Sequence, residues 1–138
     1  PELLQWLRDL ENRHQLEGGS YHTDMFDGQH GSDEETIDET KIDITRKVIY
    51  LCGHTHVPRS VHAGEAFIFN PGSLGKPLDQ DNRASFGILD VSGDAVSFKV
   101  IRIPYDIERT VRALEDRTVP WRGGIINSLR TAVYTDEE

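Results

Sequence analysis

Residues Val48-Ile49-Tyr50-Leu51-Cys52 form an apolar run that stops at Gly53-His54-Thr55-His56, with Pro58 two residues beyond. An apolar run without alternation fits a strand covered on both faces. Gly53 lets the backbone leave the sheet, and Pro58 stops further pairing. In extended chain, side chains two residues apart point the same way, so His54 and His56 are expected to face one site. Open α/β sheets place their ligands beyond the carboxyl ends of the strands, which is where this pair falls. Paired histidines also occur as hydrogen-bonded residues of cores and hairpins, so the pair alone leaves metal binding and plain packing both open.

Charge narrows the partners. The chain has 24 acidic against 15 basic side chains and a formal net charge of −9. Its summed field repels phosphate backbones and anionic membranes, which disfavours generic nucleic-acid binding. A phosphate-bearing substrate would need a local positive centre, and bound metal ions are often the largest local charges in such sites. Cys52 is the single cysteine, which excludes an intrachain disulfide and suits a reducing compartment. No stretch approaches the ~20 apolar residues of a membrane span. The expectation is a cytoplasmic chain whose 138 residues form a single, partial domain.

Taken in order, Leu3, Trp6, Leu7 and Leu10 recur at helical spacing, predicting an amphipathic helix to about His14 that Gly18-Gly19 ends. Residues 20–46 read as an acidic, loop-like segment, with Asp33-Glu34-Glu35 and Asp38-Glu39 at its centre. Met25-Phe26-Asp27-Gly28 makes a poor strand. Arg59 to His62 and Ala66 to Phe69 read as a hairpin ending at Asn70-Pro71-Gly72-Ser73, where Pro-Gly is a strong turn signal. Ser85 to Val91 and Ala95 to Ile103 form a second hairpin about Ser92-Gly93-Asp94. Residues 104–138 read as a helical tail: Asp106 caps a helix running to about Asp116, Glu108 and Arg112 pair within it, and a short helix follows over Ile125 to Val133.

Gly53-His54-Thr55-His56 followed by Asn70-Pro71-Gly72-Ser73 resembles the C-terminal motif pair of the calcineurin-like metallophosphoesterases, in the subgroup of small prokaryotic phosphodiesterases and diadenosine tetraphosphatase-like hydrolases. Arg83-Ala84-Ser85-Phe86-Gly87-Ile88-Leu89-Asp90 and Ile103-Pro104-Tyr105-Asp106 resemble its closing strand and tail. The resemblance implies an α/β fold in which this chain supplies the second, β-rich half of an α/β/β/α sandwich with flanking helices. It implies hydrolysis of a phosphodiester or dinucleoside polyphosphate at two divalent ions, of which Mn2+, Fe2+, Ni2+ and Zn2+ suit imidazole donors.

By the same resemblance His54 would ligate one metal and His56 the other, and Gln29-His30-Gly31 would supply His30 as a further ligand; on the residues alone, His30 reads more readily as a surface-loop histidine. Asn70, Gly72, Ser73 and Arg83 are the expected substrate contacts, with Lys76 as an alternative cation. Leu78 stands where relatives often carry arginine, a departure that touches substrate contacts in this loop. The family's Asp-x-His and Asn-His motifs do not occur in the sequence. An N-terminal half or a second copy is therefore expected to complete the site, and the alternative is a non-catalytic binding or interaction module.

Overall fold

The computed structural model describes residues 4–6, 9, 11, 13–27 and 42–135. Seven strands and two helices lie among them: β1 (Arg13–Gly18), β2 (Tyr21–Phe26), β3 (Val48–Cys52), β4 (Arg59–Ala63), β5 (Ala66–Asn70), β6 (Ala84–Ser92), β7 (Ala95–Ile103), α1 (Ile107–Glu115) and α2 (Arg122–Thr131). Five strands form one mixed sheet in the order β1-β2-β3-β5-β4, and β6-β7 is a separate antiparallel pair. With helices beside the sheet, this is the expected α/β class.

The apolar run is the middle strand. β3 runs parallel to both β2 and β5, and its Ile49 is fully buried, as is Ile68 of β5. Burying each such side chain contributes about 1.5–3 kcal/mol. Because side chains alternate across a sheet, the two faces differ. Val48, Tyr50 and Cys52 join Ala66 and Ile68 on one face. Tyr21, Ile49 and Phe69 occupy the other, where Leu89, Val91, Val96 and Phe98 of the β6-β7 hairpin pack on them. Phe69 stacks on Phe98 with centroids 4.4 Å apart. The Lys47 ammonium also reaches Asp94 in the hairpin turn at 2.7 Å.

The N-terminal expectation needs correction. Among the described residues, 4–6 are helical, but the segment containing His14, expected to end that helix, is strand β1, turned by Gly19 and Ser20 into β2. Residues 21–26, read as part of an acidic loop, form an interior strand. The polar residues of Tyr-His-Thr-Asp-Met-Phe concealed it. Thr23 and Asp24 are 6% and 2% exposed, and the Arg13 guanidinium grips both Asp24 oxygens at 2.6 and 2.5 Å. A charge can be buried when it is paired in this bidentate way.

Both predicted hairpins form, as β4-β5 and β6-β7. Helix α1 is capped as expected: Asp106 accepts from the Arg109 amide at 3.0 Å. Glu108, expected to pair with Arg112, instead takes Arg130 of α2 at 2.8 Å through both oxygens. The helices also hold the loop before β6: the Gln80 amide donates to the Ala132 carbonyl at 3.0 Å, and Asn82 donates to that of Arg130 at 2.8 Å. Among the described residues, no helix is long and apolar enough to cross a membrane.

Candidate functional site

Two turns meet past the carboxyl end of the central strands. The first leaves β3 at Gly53 and carries His54, Thr55 and His56. It is not extended, as the sequence reading assumed. His54 and His56 both have left-handed backbone, with φ of 70° and 58°, and the Thr55 amide bonds back to the Gly53 carbonyl at 2.9 Å. Left-handed conformation costs a residue with a Cβ about 1–2 kcal/mol, and such strain persists only where its surroundings enforce it.

Asn70, the last residue of β5, is what enforces it. Its side-chain amide donates to the Gly53 carbonyl at 2.8 Å and to Thr55 Oγ1 at 3.1 Å, while its Oδ1 accepts from the Gly72 amide at 2.8 Å. Asn70 is 2% exposed, so the expected substrate contact is a buried brace joining the histidine turn to the Pro71-Gly72-Ser73 turn. Gly72 has φ of 82°, and a Cβ there would lie 2.9 Å from both Pro58 Cγ and Ser85 Oγ. The Ser73 hydroxyl accepts from the Lys76 amide at 3.1 Å, and Ser85 Oγ donates to the Pro71 carbonyl at 2.5 Å.

His56 is held from behind. Its Nδ1 lies 2.8 Å from the Lys76 carbonyl. A carbonyl can only accept, so Nδ1 carries the proton and Nε2 is left as a lone-pair donor. This arrangement fixes tautomer and orientation in metal-ligating histidines. The His56 carbonyl also accepts from the Leu78 amide at 3.3 Å. His54 has a half-exposed ring whose Nδ1 lies 3.8 Å from Asp27 Oδ2. Sequence reasoning weighed Asp27 only as an acid that does not reproduce the family's motif order, and did not place it beside His54. Its signal was Phe26-Asp27-Gly28 at the end of a strand, which was hidden once that segment was read as loop.

Arg83 is engaged elsewhere. Its guanidinium holds Asp81 through bonds of 2.9 and 2.6 Å, and that pairing holds the Asp81 carboxyl well below the usual range. Arg102 closes on Asp79 and donates to the Asp81 carbonyl at 3.1 Å. Lys76 has no carboxylate in salt-bridge range among the described residues and sits over the Tyr134 ring, 5.4 Å from its centroid. Cys52 is buried, which pushes its thiol up to about 11 and makes it inert packing. His30 lies outside the described residues. Among those described, no three His, Cys, Asp or Glu side chains converge to hold an ion.

A mixed sheet whose carboxyl edge carries a His-x-His turn braced to an Asn-Pro-Gly-Ser turn has the architecture of metallophosphoesterases. The whole-chain fold agrees: a metallophosphoesterase from Sphaerobacter thermophilus superposes with a TM-score of 0.70 at 24% identity, over 96% of this chain and 62% of that one. Residues 2–94 match the calcineurin-like phosphoesterase superfamily domain, and the chain belongs to that family. It is 48% identical over 42 residues to the phosphodiesterase YfcE of Escherichia coli, covering 30% of this chain and 22% of that protein. An uncharacterised protein of Methanocaldococcus jannaschii is 29% identical over 91 residues, covering 54% of this chain and 37% of that protein. The chain thus spans well under half the length of the curated relatives it matches.

Proposed function

We propose that this chain forms part of a divalent-metal hydrolase acting on a small phosphodiester or phosphoanhydride, with His54 and His56 each serving one of two ions. The observation that carries the reading is His56, whose Nδ1 is tied to the Lys76 carbonyl so that Nε2 remains the donor. The donor chemistry fits borderline divalent ions, because neutral imidazoles on a half-exposed turn can take Mn2+, Fe2+, Ni2+ or Zn2+. Bound there, such ions would draw negative charge off a phosphoryl group and acidify water.

The chain's own residues supply orientation. Asn70 keeps the two turns in register, and the amides around Gly72 with the Ser73 hydroxyl offer donors to a phosphate oxygen. His30 is a further candidate ligand. With no convergent three-donor set among the described residues, further donors are needed from outside them, whether elsewhere in this chain, in a longer polypeptide or in a second chain.

The test is Mn2+-dependent hydrolysis of bis-p-nitrophenyl phosphate, with Mn2+ uptake measured alongside. This chain alone should take up Mn2+ weakly and turn the diester over slowly, and His54→Ala or His56→Ala should each weaken the uptake and abolish the turnover. Wild-type uptake in both variants would refute the assignment. Fast turnover by the chain alone, lost in either variant, would show that these residues assemble a complete site.

A further inference from the structure

We infer that Asp27 is a metal ligand that acts with His54 on the same ion, an assignment that rests on the metal reading above but not on any particular substrate. Its basis is position. Phe26 of β2 is in register with Cys52 of the parallel strand β3, so Asp27 and Gly53 are the next residues past the carboxyl ends of two adjacent central strands. From there the Asp27 carboxylate leans over Gly53 towards the histidine turn. A Cβ on Gly53 would lie 2.9 Å from Asp27 Oδ1, so the glycine provides the room the carboxylate occupies.

The spacing has the right size. Two donors about 2.1 Å from one ion subtend about 3.0–3.4 Å for octahedral or tetrahedral angles. Asp27 Oδ2 and His54 Nδ1 are 3.8 Å apart, a little wider than that. That distance is too long for a hydrogen bond and within the reach of an ion pair. Both side chains are open to solvent, His54 at 42% and Asp27 at 77%, so neither is held in place by burial and an ion can reach both. A carboxylate is also what the donor set otherwise lacks, since it offsets cation charge that neutral imidazoles leave untouched. His56, tied by its own Nδ1 to the Lys76 carbonyl, keeps Nε2 for its ion.

Mn2+ titrated into the chain, followed by calorimetry and by the free-ion EPR signal, tests the assignment without any turnover. Asp27→Asn should weaken uptake at least tenfold, and His54→Ala should do so by a similar factor. The double variant should be little worse than either single one, because both groups serve one ion. Asp27→Cys loaded with Co2+ should show a thiolate-to-metal charge-transfer band in the near ultraviolet, which the unsubstituted chain, with Cys52 buried, should lack. Full Mn2+ affinity in Asp27→Asn, additive losses in the double variant, or no such band in Asp27→Cys would overturn the inference. If Asp27→Asn is silent while His54→Ala is not, the histidine reading survives alone; if the unsubstituted chain takes up no Mn2+, both fail.

Discussion

Two tight turns follow apolar strands in this molecule, and they meet the same backbone demand differently. In the β6-β7 hairpin the left-handed position falls on Gly93, with φ of 59°, and no side chain is strained. In the turn after β3 it falls on His54 and His56. A glycine at either position would relieve the backbone. The sequence instead places the two most versatile metal-ligating side chains there and surrounds them with hydrogen bonds from Asn70 and Lys76. The hairpin turn is built for chain reversal; the histidine turn is built to aim side chains, at a cost in backbone energy that the neighbouring strand offsets.

The sharpest way to break this comparison is to remove the brace. Asn70→Ala deletes two donated bonds and one accepted bond at a site 2% exposed to solvent, leaving partly buried partners one bond short. A loss of about 3 kcal/mol is expected from urea or thermal unfolding, with Mn2+ uptake lost as well. Asn70→Asp keeps the acceptor for the Gly72 amide but turns a carboxylate on the Gly53 carbonyl, so it should recover little. An Asn70→Ala chain that melts with the wild type would show that something else holds the turn.

Smaller and opposite in sign is the effect of relieving the strain. His54→Gly should stabilise the fold by up to about 1 kcal/mol, the left-handed penalty less the extra freedom glycine has when unfolded. His56→Gly should be close to neutral, because the same relief is set against the lost bond to Lys76. Both should lose Mn2+. A stability gain coupled to a binding loss is what distinguishes a strained functional turn from a structural one, and equal destabilisation by both glycines would contradict the comparison.

How much of this was legible beforehand followed the physics of each segment. β3 through β7 announced themselves, since apolar runs, alternation and Pro-Gly or Gly-containing turns all agreed there. β1 and β2 did not. An interior strand with Asp24 in it is sustained by Arg13, which reaches across from two positions along β1, and a pairing across a hairpin leaves no periodic trace. The candidate site was legible in part: the motifs located His54, His56 and the turn after Asn70, but treated the first turn as extended chain. Asp81 neutralises Arg83 two residues away, and Asn70 is swallowed by its own turns. Both are consequences of local folding that residue type does not reveal.

The smallest expected effect separates the brace from the salt links around it. Arg130 holds the Glu108 carboxyl below its usual range, and Arg83 does the same for Asp81. For a carboxylate whose folded pKa is depressed, the contribution to stability is complete above the unfolded value, near 4, and fades as pH falls through the folded one. Because both pairs are exposed, the change in overall stability should be slight. The Asn70 amide carries no charge at any such pH, so acid should loosen the contact between α1 and α2 before it disturbs the brace. Amide exchange followed from neutral pH down to about pH 3 checks this. Gln80, whose amide bonds to the end of α2, should lose protection first, and Arg83, Thr55 and Gly72 should keep theirs. Glu108→Gln should flatten the acid dependence at the helix pair alone. If Thr55 and Gly72 open together with Gln80, the histidine turn is held by the charged rim rather than by Asn70, and the contrast with the Gly93 turn needs a different cause.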